Sequence, residues 1–157
     1  VHGPLQGPYS GFLHVPELAR RLSPAGGYIR FETQLDNRLK NLAALTTARE
    51  FDCAYVWGAQ SGAARRGGIP EATIDAIRAK TTDGIPADDA QVVAFTQTLI
   101  RKHRVPDAMV EALQARLGDQ QLVELTSAIG YYAMAAMTLN TLQAAPAAGA
   151  EVLPEPE

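Results

Sequence analysis

The residues with the most suggestive spacing for chemistry lie near the middle of the chain. Cys53, Val56, Trp57 and Gln60 are separated by three or four positions, so a helix would project them from one face. Asn41 belongs to the preceding predicted helix, which a short break would let fold back alongside. A thiol, an indole and two amides gathered in this way could bind a carbonyl or carboxylate group. None of these side chains is poised for acid or base catalysis near neutral pH.

Two interpretations of this group remain open. In the first, the residues line a pocket and orient a ligand by hydrogen bonding to a carboxylate or enolate oxygen. In the second, Cys53 is a small buried apolar residue, Trp57 belongs to the core, and the amides of Asn41 and Gln60 satisfy each other. If the pocket is functional, we expect Asn41 and Gln60 to face one cavity.

Other candidates for the site must come from distant parts of the sequence. His14 precedes a predicted helix and His103 ends another, where capping or surface roles are the simpler interpretation. If the pocket needs a proton carrier, one of these histidines must reach it by tertiary contact, or from a second subunit. Tyr131 and Tyr132 are adjacent on the last helix and point about 100° apart, so one can be core while the other reaches a pocket.

Turn residues divide the sequence into the helices that must position these side chains. Helix starts are predicted at four prolines, because a first-turn position does not need the missing N–H, and they are Pro16, Pro70, Pro86 and Pro106. Ser23 and Pro24 are expected to close or interrupt the first helix. A short helix is expected over 28–33. Asp36 is the expected N-cap of a helix that runs to Phe51.

The later part of the chain follows the same rules. The helix that begins at Asp52 or Cys53 is expected to end at Gly67 and Gly68, and Gly118 is expected to end another. The final helix, which Asp119 would cap, is apolar nearly all round, and this indicates burial by neighbours or by another subunit.

The predicted fold class is all-α, with six to eight helices in one domain. No segment shows convincing alternation of apolar and polar residues bounded by turns, so no strand is predicted. The domain covers 1–143 and begins with an irregular arm over 1–13 that is dense in glycine and proline. Residues 144–157 combine Pro, Ala, Gly and acids, and are predicted to form a disordered tail.

Composition excludes several classes of function. The net charge of -3 gives no general attraction to nucleic acid or anionic membranes. One cysteine and three scattered histidines do not suggest a metal site, and no cofactor is expected. No apolar run approaches the roughly 20 residues of a membrane span. We therefore expect a cytoplasmic protein whose partner is a small-molecule ligand.

The stretch RLKNLAALTTAREFDCAYVWGAQSGAARRGGIP resembles the carboxymuconolactone decarboxylase family, which includes alkylhydroperoxidase D-like proteins. The sequences of its members contain, in this order, a leucine-rich helix, a short break, a Tyr-x-Trp segment and a helix end of the pattern Ala-x-x-x-Gly-(Leu/Ile). The resemblance extends to LHVPELA, HRVPDAMVEAL and QLVELTSAIGYYAMAAMTLN, and so covers roughly residues 10 to 143. It implies the alkylhydroperoxidase D-like helical fold and, together with the apolar last helix, self-association as a trimer or hexamer.

The resemblance also implies where the chemistry of the family would lie. The alkylhydroperoxidase D-like branch uses a Glu, a Cys-x-x-Cys pair and a His, with the Glu and His relaying protons to the thiols. These positions fall at Asn41, Cys53, Val56 and Gln60, so only the first Cys is kept. Decarboxylase-like relatives keep the His and carry Glu within a Tyr-Glu-Trp triplet, whose middle position here is also Val56.

Three functions are therefore compatible with the sequence. The first is a cofactor-free enzyme that acts on a small organic acid or lactone by decarboxylation, isomerisation or proton transfer. The second is a thiol peroxidase that uses Cys53 with an external thiol, and the third is a non-catalytic binding or structural oligomer. The candidate catalytic residues are Asn41, Cys53 and Gln60, and the candidate ligand-lining residues are His14, Tyr55, Val56, Trp57, His103 and Tyr131.

Overall fold

The structure is a computed structural model that describes residues 11–154. Within this range it contains six α-helices and no strand, as the sequence predicts. A π-helical turn, Tyr28–Glu32, follows the first helix directly. The α-helices are α1 Pro16–Gly27, α2 Asn37–Glu50, α3 Ala54–Arg66, α4 Glu71–Arg78, α5 Ala87–Lys102 and α6 Asp107–Thr141. The predicted irregular arm lies mostly outside the described residues.

Most helix boundaries follow from the capping residues read in the sequence. The Asp36 carboxylate accepts the N–H of Arg38 at 2.7 Å and starts α2. Pro70, Pro86 and Pro106 each stand immediately before a helix, where their fixed φ suits the first turn.

The first helix ends later than the sequence predicts. Pro24 lies inside α1, which continues to Gly27 and then into the π-helical turn. The prediction that Ser23 and Pro24 close the helix is therefore wrong. Proline removes one backbone donor, but hydrogen bonds on either side carry the helix past it, including those from the Tyr28 N–H to the carbonyls of Pro24 and Ala25.

The long helix α6 is broken at Gly118. This residue has φ 74° and ψ 169°, a conformation that L side chains rarely adopt, so residues 119–141 form a separate helical segment. Helix α6 is long and apolar enough to cross a membrane. Buried core helices of other proteins meet the same two criteria of length and apolarity. Much of its apolar surface packs in the core, including Leu125, Ile129 and Leu139.

We predict that Gly118→Ala lowers the free energy of unfolding by about 1 to 2 kcal/mol, because alanine is strained at this φ. Gly27→Ala is the matched control, since Gly27 has a helical φ of -61° and nothing near the position of an added Cβ. That change should raise the free energy of unfolding by up to about 1 kcal/mol. Urea denaturation measures both, and equal effects would contradict the strain at Gly118.

Helix α2 forms the centre of the molecule. It packs against α3, α5 and α6, and residues 42–48 are all buried. Trp57 of α3 is among the largest fully buried side chains and joins the same core. This packing fixes the position of α3, which carries most of the residues singled out in the sequence.

Residues 144–154 carry no helix but pack against the domain, which differs from the predicted disorder. Leu153 is 6% exposed and belongs to the main core, and Glu151 pairs with Arg65 and Arg78. Composition indicates how little apolar surface a segment can bury by itself. It does not indicate whether a folded domain offers a complementary surface.

Candidate active site

A cavity of about 160 Å³ lies between the π-helical turn, α3 and the second half of α6. We call it the Arg30 cavity. The residues with polar groups among those that line it are one arginine, one glutamine and three tyrosines. The lining residues are Arg30, Tyr55, Val56, Ala59, Gln60, Tyr131, Tyr132 and Ala135. It therefore contains four of the residues predicted for the site, namely Tyr55, Val56, Gln60 and Tyr131.

Arg30 supplies the positive charge of the cavity, and sequence spacing did not indicate it. It lies in the π-helical turn, a conformation often found at functional sites. Its guanidinium lies 4.6 Å from the centroid of the Phe31 ring and forms no ion pair with a carboxylate in the described part of the chain. Such a guanidinium can bind a carboxylate through two parallel hydrogen bonds.

A buried lysine supports the turn that carries Arg30. Lys40 of α2 is buried, and its ammonium donates to the carbonyl oxygen of Arg30 at 3.4 Å and to Thr33 Oγ1 at 3.2 Å. These bonds connect the turn to the central helix. These bonds thus fix the backbone of Arg30 beside the cavity, and they leave its side chain available to bind a ligand.

Three tyrosines from α3 and α6 also line the cavity. The rings of Tyr131 and Tyr132 meet edge to face, with centroids 5.4 Å apart and an interplanar angle of 78°. Tyr55, on α3, is half-buried beside them. A phenol both donates and accepts hydrogen bonds, so these tyrosines can bind a carbonyl oxygen or pass a proton.

The structure separates Asn41 from the cavity. The Asn41 Nδ2 group donates to the carbonyl oxygen of Ala63 at 3.4 Å, near the end of α3, and the residue does not line the Arg30 cavity. Asn41 and Gln60, which the sequence predicts to face one cavity, therefore do not share the Arg30 cavity. Asn41 meets the backbone of α3 at Ala63, nearly one turn beyond Gln60, and spacing along separate helices could not show this contact.

Cys53 and Trp57 are also absent from the lining. Both are fully buried in the core, although Val56 and Gln60 on the same helix reach the cavity. Burial raises the pKa of the Cys53 thiol, and the backbone amides of Val56 and Tyr55 only partly oppose the shift. The thiolate, which is the nucleophile, is therefore disfavoured.

We predict that Cys53 reacts with a disulfide reagent such as DTNB at least about tenfold more slowly than a thiol on the surface, because burial shields it and raises its pKa. Adding urea to unfold the protein should restore the rate of an exposed thiol. Fast, single-phase labelling of the folded protein would contradict the burial and revive a peroxidase role.

The two candidate histidines lie elsewhere. His14 is exposed in the turn before α1, and His103 is exposed at the C-terminus of α5 with φ 61°. Neither lines the Arg30 cavity. Over residues 11–154, no group of three or more His, Cys, Asp or Glu side chains has the arrangement of a metal site.

The fold is shared with proteins of known structure. Two crystal structures of peroxidase-related proteins share it, each over 88% of this chain and 75% of the other chain. The first, described as an alkylhydroperoxidase AhpD core protein from Ralstonia eutropha JMP134, has a TM-score of 0.76 at 16% identity. The second, from Silicibacter sp. TM1040, has a TM-score of 0.74 at 14% identity. At such identities the likeness shows the alkylhydroperoxidase D-like fold alone.

The sequence profile of the carboxymuconolactone decarboxylase family matches residues 16–99, which is more than half of the chain. The chain therefore belongs to the carboxymuconolactone decarboxylase family, as its resemblance predicts. None of the curated proteins matches its sequence.

Proposed function

We propose that this chain is a cofactor-free enzyme that binds a small organic acid or lactone in the Arg30 cavity. Its reaction would be a decarboxylation, an isomerisation or another proton transfer. The observation that carries the proposal is that Arg30, Gln60 and three tyrosines line a single small cavity. Membership of the carboxymuconolactone decarboxylase family is consistent with it.

The cavity volume limits the size of the ligand. A cavity of about 150 Å³ in another protein holds benzene, so about 160 Å³ suits a molecule with one ring or a short chain. Larger substrates would have to extend through its opening. A compact acid or lactone therefore fits better than a long-chain substrate.

The polar residues divide naturally between binding and catalysis. Arg30 would hold a carboxylate that does not react, because tight binding of a reacting carboxylate would stabilise the substrate as much as the transition state. The Gln60 amide and the phenols of Tyr55 and Tyr131 would then stabilise charge that develops on a carbonyl oxygen. Proton transfer would use a tyrosine or water.

A single-cysteine peroxidase is the second candidate. The two structures with the same fold are both described as peroxidase-related, and this is the observation that favours it. Against it stands the burial of Cys53, which raises its thiol pKa and separates it from the lining of the Arg30 cavity. We therefore rank it below the proton-transfer proposal.

The test is a panel of small mono- and dicarboxylic acids and γ-lactones. Binding is followed by calorimetry, and chemistry by NMR in D₂O, which detects both loss of carboxylate and exchange of an acidic C–H. We expect Gln60→Ala to reduce binding or turnover without unfolding the protein. Gln114→Ala, at an exposed position bonded to Asp119, is the control.

The outcomes separate the proposals. Turnover lost in Gln60→Ala and kept in Gln114→Ala supports the enzyme. Binding without chemistry supports a non-catalytic binding protein on the same scaffold. Turnover of an alkyl hydroperoxide that disappears with Cys53→Ala would favour the peroxidase.

We further propose that the chain self-associates as a trimer or hexamer through the outer face of residues 119–141. Val123 and Met137 on this face are exposed apolar side chains. Two open grooves, of about 660 and 340 Å³, flank it and share Val123 and Ser127 in their linings. Light scattering that shows a stable monomer at micromolar concentration would contradict the proposal, and Val123→Glu should favour the monomer.

A further inference from the structure

The segment 144–154, which we call the tail segment, lies on α3 and α4 and contains one turn, at 148–149. Three of its residues alternate in their surroundings. Glu151 is directed to two arginines, Val152 is 74% exposed, and Leu153 is buried in the core. This is the pattern of an extended peptide bound in a groove, with pockets for alternate side chains.

The Glu151 carboxylate joins α3 to α4. It accepts a hydrogen bond from Arg65 of α3 at 2.6 Å and another from Arg78 of α4, and its side chain is 21% exposed. Burial alone would raise the pKa of Glu151, but the hydrogen bonds from the two arginines outweigh it and lower the pKa to about 2. The carboxylate is thus charged at neutral pH.

Helix α3 is shaped to receive the backbone of the tail segment. A Cβ added at Gly58 would lie 2.8 Å from the Cβ of Ala150 and 3.4 Å from the carbonyl oxygen of Glu151. Only glycine therefore lets the tail segment approach so closely. At Gly62, one turn further on, an added Cβ would meet only the flexible end of Arg66 at 3.3 Å.

Within the tail segment, few interactions fix its conformation. The backbone N–H of Ala150 bonds to the carbonyl oxygen of Ala147, and the segment contains no helix or strand. Its attachment thus depends on the contacts of Ala150, Glu151 and Leu153 with the domain. Contacts of this kind, made by a segment without helix or strand, can open without unfolding the rest.

We propose that the groove between α3 and α4 is a binding site for an extended acidic peptide of the pattern Ala-Glu-x-Leu, and that the tail segment is its resident, exchangeable occupant. Gly58 selects the small residue, Arg65 and Arg78 select the carboxylate, and the core accepts the leucine. The site is distinct from the Arg30 cavity, because Gly58, Arg65 and Arg78 do not line that cavity.

The first experiment measures release of the tail segment in the full chain by its rate of cleavage with elastase, which acts after small residues. We expect Glu151→Gln to be cut about tenfold faster than the wild type, since loss of the charge weakens both arginine bonds. Glu71→Gln is the matched control, because Glu71 also pairs with Arg65 but does not belong to the tail segment. Its rate should stay within about twofold of the wild type.

Gly58 and Gly62 provide an independent pair of variants for measuring release of the tail segment. Gly58→Ala should speed cleavage like Glu151→Gln, whereas Gly62→Ala should not, although both place alanine inside α3. Circular dichroism checks that every variant keeps its helices. Unchanged cleavage in both Glu151→Gln and Gly58→Ala would overturn the proposal.

The second experiment supplies the peptide in trans. A synthetic peptide of residues 144–154 is added to the full-length Glu151→Gln variant and to the wild type. Binding is followed by the fluorescence of Trp57, the one tryptophan of the chain, whose ring lies 5.4 Å from the Arg78 guanidinium carbon.

We expect the peptide to bind the variant at least about tenfold more tightly than the wild type, whose own tail segment occupies the groove. A peptide with Gln in place of Glu should lose about tenfold or more in affinity. Equal binding of the two peptides, or equal binding to the two proteins, would overturn the proposal. The result does not depend on whether the Arg30 cavity is catalytic.

Discussion

Replacing Asp89 with alanine is expected to lower the free energy of unfolding by about 2 to 3 kcal/mol. The Asp89 side chain is 4% exposed, and its carboxylate accepts a hydrogen bond from Arg38 at 2.7 Å. Thr73 of α4 donates to the same oxygen at 3.4 Å, and Arg38 also donates to the carbonyl oxygen of Gly68 at 2.6 Å. One carboxylate of α5 therefore holds α2, α4 and the loop between α3 and α4 together.

The expected loss is smaller than for a fully enclosed ion pair. Breaking such a pair costs about 3 to 5 kcal/mol, because the remaining charge is left buried. Here the Arg38 side chain is 32% exposed and can regain water. The hydroxyl of Thr73, on a fully buried residue, has no such access and loses a partner.

Asp88 offers a matched control. It precedes Asp89 in the same first turn of α5, and its carboxylate is 86% exposed beside Arg116. Asp88→Ala should change the free energy of unfolding by less than about 0.5 kcal/mol. Chemical denaturation at neutral pH measures both variants, and similar values for the two would show that burial of the Asp89 pair contributes little.

The helices were predictable because their signals are local. A proline before a helix, the Asp36 side chain and the conformation of Gly118 act within a few residues, so the sequence contains the whole cause. The continuation of α1 past Pro24 was not predictable in this way. An interior proline costs a helix about 3 kcal/mol, through a lost hydrogen bond and a clash with a carbonyl, yet α1 continues past Pro24.

The site was only partly predictable because it depends on contacts between helices. Spacing along α3 indicates which residues share a face, but it cannot indicate which part of that face meets the core and which part meets a cavity. Trp57 proved to be core, while Gln60, three positions later, lines the cavity. No sequence pattern around Arg30 indicated a role in the site. It lines the cavity only because the π-helical turn packs beside α3 and α6.

The tail segment shows the same limit of composition. Its low apolar content predicts disorder, yet one leucine and one carboxylate find complementary sites on α3 and α4. The information for this contact lies in Gly58, Arg65 and Arg78, far from the tail segment in sequence. Small and charged residues on a helix surface are ordinarily attributed to solvation, and nothing local distinguishes these.

The Arg30 cavity leads to the second large effect. Replacing Arg30 with methionine is expected to weaken the binding of a carboxylic acid by roughly thirtyfold, which corresponds to about 2 kcal/mol. A guanidinium–carboxylate pair in a partly enclosed cavity is stronger than one on the surface, because less water competes for it. Methionine keeps much of the length of the side chain, so the volume of the cavity changes little.

A comparison of two ligands isolates the contribution of the ligand's negative charge to binding. The carboxylic acid that binds best in the panel is measured beside its primary amide, which has nearly the same shape but no charge. The wild type should prefer the acid, and Arg30→Met should lose most of that preference while binding the amide about as well as before. Arg21→Met serves as the control, since Arg21 is exposed and pairs with Glu17 on α1. If Arg30→Met still prefers the acid as strongly as the wild type, the guanidinium does not recognise the carboxylate, and Gln60 and the tyrosines must do so instead.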